Sequence, residues 1–326
     1  MVNFFILLCI YILYIIKMIK NIKFIDDKVI KNHNFSNHID DNKNGFNLYM
    51  NCGFIGKPKS GKTHAAIKLA NYLQEKKLIT NIYLASPTIQ SNPFEILNIP
   101  EENQFSDINN SDEILNEIEI RCKNNVIKWK ELKNRFTEKQ YKKLYKSIFN
   151  IFSDQINNPK ENNIFNDEGL DNEYELDVDD YEMLENNNYE KKPYYYNYGP
   201  SHLLILDDIM GTNIISNKKT NLLNSIISNH RHMHLSIFIL CQSYKSGIPR
   251  AVRLNLTKYF LWKTSDNSNI QSFYDEIGNS YFSNYDEFKN LFQNITKHQY
   301  NFMLIDTDPK DDDLTIRSGF NRKIIL

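Results

Sequence analysis

The segment Gly56, Lys57, Pro58, Lys59, Ser60, Gly61, Lys62, Thr63 fits the pattern G-x-x-x-x-G-K-[ST]. Each fixed position of that pattern answers to a phosphate. Backbone N–H groups of such a loop, and of the helix it opens, point at phosphate oxygens, and Gly61 lets the main chain come close. Lys62 then reaches the β- and γ-phosphates, and Thr63 offers its hydroxyl to a magnesium ion. The predicted ligand is a nucleoside triphosphate, ATP, with Mg²⁺. A glycine turn with a chance lysine would lack the flanking elements, whereas here an apolar run precedes the loop and a helical pattern follows it.

Two further runs end in groups that suit the same chemistry. Leu203 to Leu206 lead into Asp207 and Asp208, as expected of a buried strand whose C-terminal tip meets the nucleotide. Asp207 is expected to hold Mg²⁺ through water, and Asp208, on the other side of the strand tip, to orient the attacking water toward the γ-phosphate. The run Ser236 to Cys241 ends in Gln242, whose amide both donates and accepts and could sense the γ-phosphate. The sequence His230-Arg231-His232-Met233-His234 invites a metal reading, yet no carboxylate or cysteine stands at a recognised ligand spacing. Arg231 reads instead as a fixed positive charge facing phosphate or a neighbouring subunit, and the histidines as surface or packing residues.

The elements that must position these residues follow from periodicity. Phe46 to Ile55 reads as a buried strand, Lys62 to Lys76 as a helix through Ala65, Ala66, Leu69, Ala70 and Leu73, and Asn81 to Ala85 as a second strand. Strand, glycine loop, helix, strand is a βαβ unit. Beyond Pro200 come strands at 203–206, 236–241, 259–262, about 300–305 and 323–326, with a helix near 220–228. Strands alternating with helices predict an α/β fold with a mostly parallel central sheet flanked by helices. The expected organisation is an apolar N-terminus and polar linker over 1–45, then one ATP-binding domain over 46–326 carrying two insertions. The first, about 101–152, reads as two amphipathic helices. The second, about 154–199, is acidic and reads as disordered, because Glu161 to Glu190 contain no Lys or Arg. Such a tract could mimic DNA in a basic channel, but a solvated linker is the simpler reading.

Composition narrows the partners. Lys+Arg of 39 against Asp+Glu of 40 gives a formal net charge of −1, so DNA contact must be a local patch rather than a property of the whole chain. The candidates are Lys123, Lys128, Lys130, Lys133, Arg135, Lys139, Lys142, Lys143 and Lys146 on the first insertion, a stripe that could follow phosphates or equally form a solvated helix face. Four cysteines without a CxxC pair predict a reduced intracellular protein with neither disulfide nor zinc site. The apolar stretch Phe4 to Ile16 is shorter than the roughly 20 residues of a membrane-spanning helix and reads as an appended start upstream of Met18 rather than an anchor or signal.

Taken in order, Gly56 to Thr63, the L-L-I-L-D-D run, R-H-M-H-L-S-I-F-I-L-C-Q from Arg231 and R-A-V-R-L-N from Arg250 resemble the poxvirus-type virion DNA-packaging ATPases, of the FtsK/HerA branch of P-loop motors. The resemblance covers Phe46 to about Lys263, with the tail from Tyr300 a weaker match, and it does not cover residues 1–40 or 101–199. It implies a sheet with the Gln242 strand between the P-loop strand and the Asp207 strand. It also implies a homo-oligomeric ring, a hexamer or similar, that drives double-stranded DNA into a capsid in the virion or the host's viral factory, with capsid proteins as further partners. In such rings an arginine from one subunit completes its neighbour's site, and Arg231 and Arg253 are the candidates. Two departures stand out: Asp208 where many P-loop motors use Glu, and the acidic insertion. The alternatives are a helicase or translocase of the same superfamily, which would share every ATP-site residue, and a non-motor ATP-binding virion protein. A small-molecule kinase would want an arginine-rich lid where this chain has an acidic insertion.

Overall fold

A computed structural model of the chain describes residues 23–25, 46, 48–76, 78–108, 110–135, 137, 199–212, 214, 222–309 and 315–325. The expected second insertion helix and nearly all of the acidic tract lie outside these residues, as does the apolar start.

The strands are β1 (Lys23–Ile25), β2 (Asn51–Ile55), β3 (Asn81–Ala85), β4 (Gln104–Phe105), β5 (His202–Asp207), β6 (Leu235–Cys241), β7 (Lys258–Trp262), β8 (Phe302–Asp306), β9 (Ile316–Ser318) and β10 (Arg322–Ile325). They form one sheet in the order β1-β10-β9-β8-β7-β2-β6-β5-β3-β4. From β7 to β4 every neighbouring pair is parallel, and from β7 to β1 every pair is antiparallel. Within the parallel part, β2, β5, β6 and β7 have every residue buried. That is why they read as unbroken apolar runs: helices cover both faces, so neither face needs polar residues.

Side chains alternate between two cores, as a period of two requires. Cys52, Phe54, Phe238, Leu240 and Phe260 face one core. It is closed by Ala65, Ala66, Leu69, Ala70 and Leu73 of α1 (Lys62–Glu75). The Phe54 and Phe260 rings stack there at 4.3 Å between centroids. Ile55, Ile237, Ile239 and Cys241 face the other core. Over it lie α2 (Ser111–Arg135), α3 (Leu222–Asn229), the short turns α4 (Tyr244–Gly247) and α5 (Arg250–Arg253), α6 (Asn267–Glu276) and α7 (Tyr285–Ile295). Each fully buried Leu or Phe contributes about 1.5–3 kcal/mol, so these two layers fix the strands that carry the site.

Two expectations are adjusted. β2 starts at Asn51 rather than Phe46, because a turn at Leu48 and Tyr49, with Tyr49 at φ 62°, breaks the strand. Phe46 is apolar for a different reason: it packs beneath Phe320 and the guanidinium of Arg317. The first insertion is not purely helical, since Gln104 and Phe105 add an edge strand to β3 before α2 begins. Two helices not among the expected elements cover β7 and β8: α6, which buries only Ile270 and Phe273, and α7, whose Phe288, Leu291, Phe292 and Ile295 recur at helical spacing.

Candidate functional site

The P-loop joins β2 to α1 with little room to spare. A Cβ on Gly56 would fall 2.6 Å from Cβ of Trp262 on the adjacent strand, so only glycine lets the chain leave β2 there. Gly56 N–H continues the ladder by donating to Cys241 O at 3.1 Å. Lys59 (φ 61°) and Gly61 (φ 98°) take left-handed conformations that curl the loop over the helix end. Gly61 is the N-cap of α1 and supplies no side-chain cap, which leaves the orphan N–H groups of the first turn turned toward the loop. The Ser60 hydroxyl is buried without a protein partner among the described residues. An anion cradle of this kind, with a buried donor in reserve, fits a row of phosphates.

Lys62 arches back across the loop, its Nζ donating to Lys57 O at 3.1 Å. Burial lowers the pKa of its ammonium, while Cys241, Asp207 and Asp208 act in the opposite sense. From the helix side Thr63 Oγ1 donates to Asp207 Oδ2 at 3.3 Å, tying the loop to the tip of β5 across 144 residues of sequence. Asn92 Nδ2 approaches the same carboxylate oxygen at 3.4 Å, and also donates to Thr88 Oγ1 at 3.1 Å. Burial raises the Asp207 carboxyl to about 6, against the lowering influence of Lys62. Asp208 follows at φ 52° and is exposed. The left-handed turn separates the two carboxylates, one held against Thr63 and the other open to solvent. Asn92 was not legible in the sequence: it sits seven residues beyond β3 in an irregular stretch.

Gln242 leaves the end of β6. Ile55 pairs with Cys241, so Gln242 stands level with Gly56, and its backbone N–H contacts Met210 Sδ at 3.4 Å. The strand that carries it lies between β2 and β5, as the resemblance implied. Lys62, Thr63, Asp207, Asp208 and Gln242 therefore gather at the C-terminal tips of three adjacent parallel strands, the region where such sheets bind ligands.

The two arginines part company. Arg253 is buried: Nε and Nη2 donate to both Glu276 carboxylate oxygens at 2.8 and 2.7 Å, and Nη1 donates to Ile248 O at 2.6 Å. Its guanidinium also lies over the Tyr244 ring. Every face of the group is used inside its own subunit, so the expectation that Arg253 reaches a neighbour is replaced by a role in holding α5 to α6. Arg231 is 66% exposed and only 3.8 Å from the equally exposed Asp308. It precedes β6 at the opposite end of the sheet from Lys62. Two of the neighbouring histidines are structural: His230 contacts Ile227 O at 2.6 Å and Tyr49 O at 2.9 Å, and His234 contacts Pro200 O at 2.9 Å, while His232 is exposed.

Thr63 and Asp207 supply hard oxygen atoms suited to Mg²⁺, which takes one or two protein ligands and completes its shell with water and phosphate oxygens. No group of three or more His, Cys, Asp or Glu able to hold a metal occurs among the described residues.

A glycine loop between strand and helix, a hydroxyl opening the helix and a carboxylate at a neighbouring strand tip together define a P-loop NTPase. Within that class the chain belongs to the Poxvirus A32 protein family, whose model matches residues 142–306, just over half of its length. No curated protein sequence matches it. Among solved structures it is similar to the genome packaging NTPase B204 from Sulfolobus turreted icosahedral virus 2 in complex with AMP, at 14% identity and a TM-score of 0.42 over 86% of this chain and 100% of that one. B204, the DNA-packaging ATPase from Sulfolobus turreted icosahedral virus, matches at 10% identity and a TM-score of 0.44 over 85% and 99%. The pCW3 conjugation coupling protein TcpA with ATPγS matches at 8% and 0.41, over 85% of this chain and 60% of that one.

Proposed function

We propose that this chain is an ATP-driven motor that moves double-stranded viral DNA into a capsid, hydrolysing ATP in a ring of like subunits. The observation that carries it is the Thr63–Asp207 contact beneath a P-loop, in a chain of the A32 family. Gly56 to Gly61 and Lys62 bind the triphosphate, and Thr63 and Asp207 hold Mg²⁺. When bound, that ion neutralises charge on the β- and γ-phosphate oxygens. Asp208, exposed beside Asp207, accepts a hydrogen bond from the attacking water and aims it. Gln242, level with the start of the loop, reads the γ-phosphate and passes its presence to β6.

Ring assembly joins one face of a subunit to a different face of the next. A residue remote from its own site is then suited to complete another's, and Arg231 is the exposed candidate. DNA would be followed by the exposed Lys123, Lys128, Lys130, Lys133 and Arg135 of α2, with Lys139, Lys142, Lys143 and Lys146 beyond the described residues. Seven-residue spacing groups Lys123 with Lys130 and Lys128 with Arg135, and Lys123 is partly neutralised by Glu119.

The test is displacement of a third strand annealed to linear duplex DNA, with ATP as fuel. A motor of this kind strips the third strand and leaves the duplex paired. Strand separation instead would mark a helicase, and ATP turnover without displacement would leave an ATPase that does not translocate.

A further inference from the structure

The sheet orders the two ends of the nucleotide. With Mg²⁺ held by Thr63 and Asp207 as proposed above, the γ-phosphate end would lie toward β5, and a triphosphate laid along the P-loop would carry its nucleoside away from β5, toward β7 and β8. On that side a cleft of about 490 Å³ opens between Lys57–Ser60 of the loop and the turn Thr296–Asn301, within the roughly 300–1,000 Å³ of small-molecule sites. A second cavity, between Gly56, Gln242 and Trp262 on one side and α6 and α7 on the other, measures about 30 Å³. It has room for no more than a water or two.

The cleft is not a loose surface groove. Tyr300, 47% exposed, is held at φ 69°, and its carbonyl accepts a hydrogen bond from the Trp262 indole N–H at 3.1 Å. Trp262 is the residue that backs Gly56, and the Tyr300 ring lies 3.2 Å from where a Cβ on Gly61 would sit. One indole therefore anchors both the P-loop and an aromatic ring at the mouth of the cleft. Gln299 and Asn301 line the same space with amides that donate and accept, and among the described residues no carboxylate lines it to repel phosphate. We propose that this cleft receives the base and ribose of the nucleotide, with the Tyr300 ring as the surface on which the base stacks. The assignment rests on the phosphate site proposed above.

Calorimetric titration of the full chain with ATP and, separately, with inorganic tripolyphosphate at one Mg²⁺ concentration separates the two. The wild type should bind ATP more tightly than tripolyphosphate. Tyr300→Ala should weaken ATP about tenfold, the order expected for loss of one base–aromatic stack, and leave tripolyphosphate unchanged. Tyr300→Phe, which keeps the ring, should retain wild-type affinity for both. Equal wild-type affinity for the two ligands would overturn the cleft while sparing the phosphate site. Equal weakening of both by Tyr300→Ala would also overturn it, showing that the ring merely shapes the loop at Gly61. A wild type that bound neither would reject the phosphate site itself.

Discussion

At the residue scale, Asp207 and Asp208 show how one strand tip gives two carboxylates different surroundings, one buried and one exposed. Burial holds the Asp207 carboxyl near 6, above its ordinary 3.8. The unfolded chain loses that proton near pH 4 and the folded chain only near pH 6. Ionising Asp207 therefore costs stability, fully above about pH 6 and progressively less as pH falls toward 4. Asp207→Asn keeps an acceptor for Thr63 and removes the charge. It should raise the unfolding free energy at pH 7 by about 1–3 kcal/mol, show no gain at pH 4, and abolish Mg²⁺-dependent hydrolysis; urea melts at the two pH values check the first two points. Since a metal competes with the proton, Mg²⁺-dependent ATP binding should also weaken below about pH 6. Asp208→Asn should bind ATP as the wild type does and turn over at least a hundredfold more slowly, in the range expected for loss of a positioned acid–base group. Lys62→Ala should lose hydrolysis altogether. Normal turnover in either variant would discard the assignment of that residue.

At the scale of elements, the fork of Arg253 on Glu276 ties α5 to α6 beneath β7. Removing one partner of a buried, hydrogen-bonded ion pair costs about 3–5 kcal/mol, so Arg253→Ala should lower the denaturant midpoint severely. Arg253→Lys should not restore it, because an ammonium cannot make both carboxylate bonds and the bond to Ile248 O. Arg231→Ala, at an exposed position, should leave the midpoint unchanged. The two arginines look alike in sequence, and only packing tells them apart. The same limit governs the rest of the fold. The P-loop and the L-L-I-L-D-D strand were legible because a spaced motif and a continuous apolar run report directly on local structure. The place of β6 between β2 and β5 came from the resemblance alone, since buried parallel strands all read as apolar and carry no sign of their neighbours. α6 buries only Ile270 and Phe273. Its real signature was Asp266, whose carboxylate caps Ser268 and Asn269 N–H groups, as Asn284 caps Glu287 in α7. β9 hides a fully buried Arg317 paired with Asp306, a charged residue that periodicity assigns to the surface.

For the whole molecule, the account needs subunits that work on one another and on DNA. Arg231→Ala subunits mixed with wild type should depress activity more than in proportion to their share, because each defective arginine silences a neighbour's site; strictly proportional activity would remove Arg231 from that role. Binding carried by the lysines of α2 should weaken steeply with salt, since each phosphate contact releases counterions. The most direct test of the central claim is the rate of ATP hydrolysis by the full chain with linear duplex DNA, single-stranded DNA or RNA, at low and moderate salt. The account predicts strong stimulation by duplex DNA over the other two, and absent in Lys62→Ala. Robust hydrolysis indifferent to nucleic acid would contradict it, leaving an ATPase whose motion is coupled to something other than DNA.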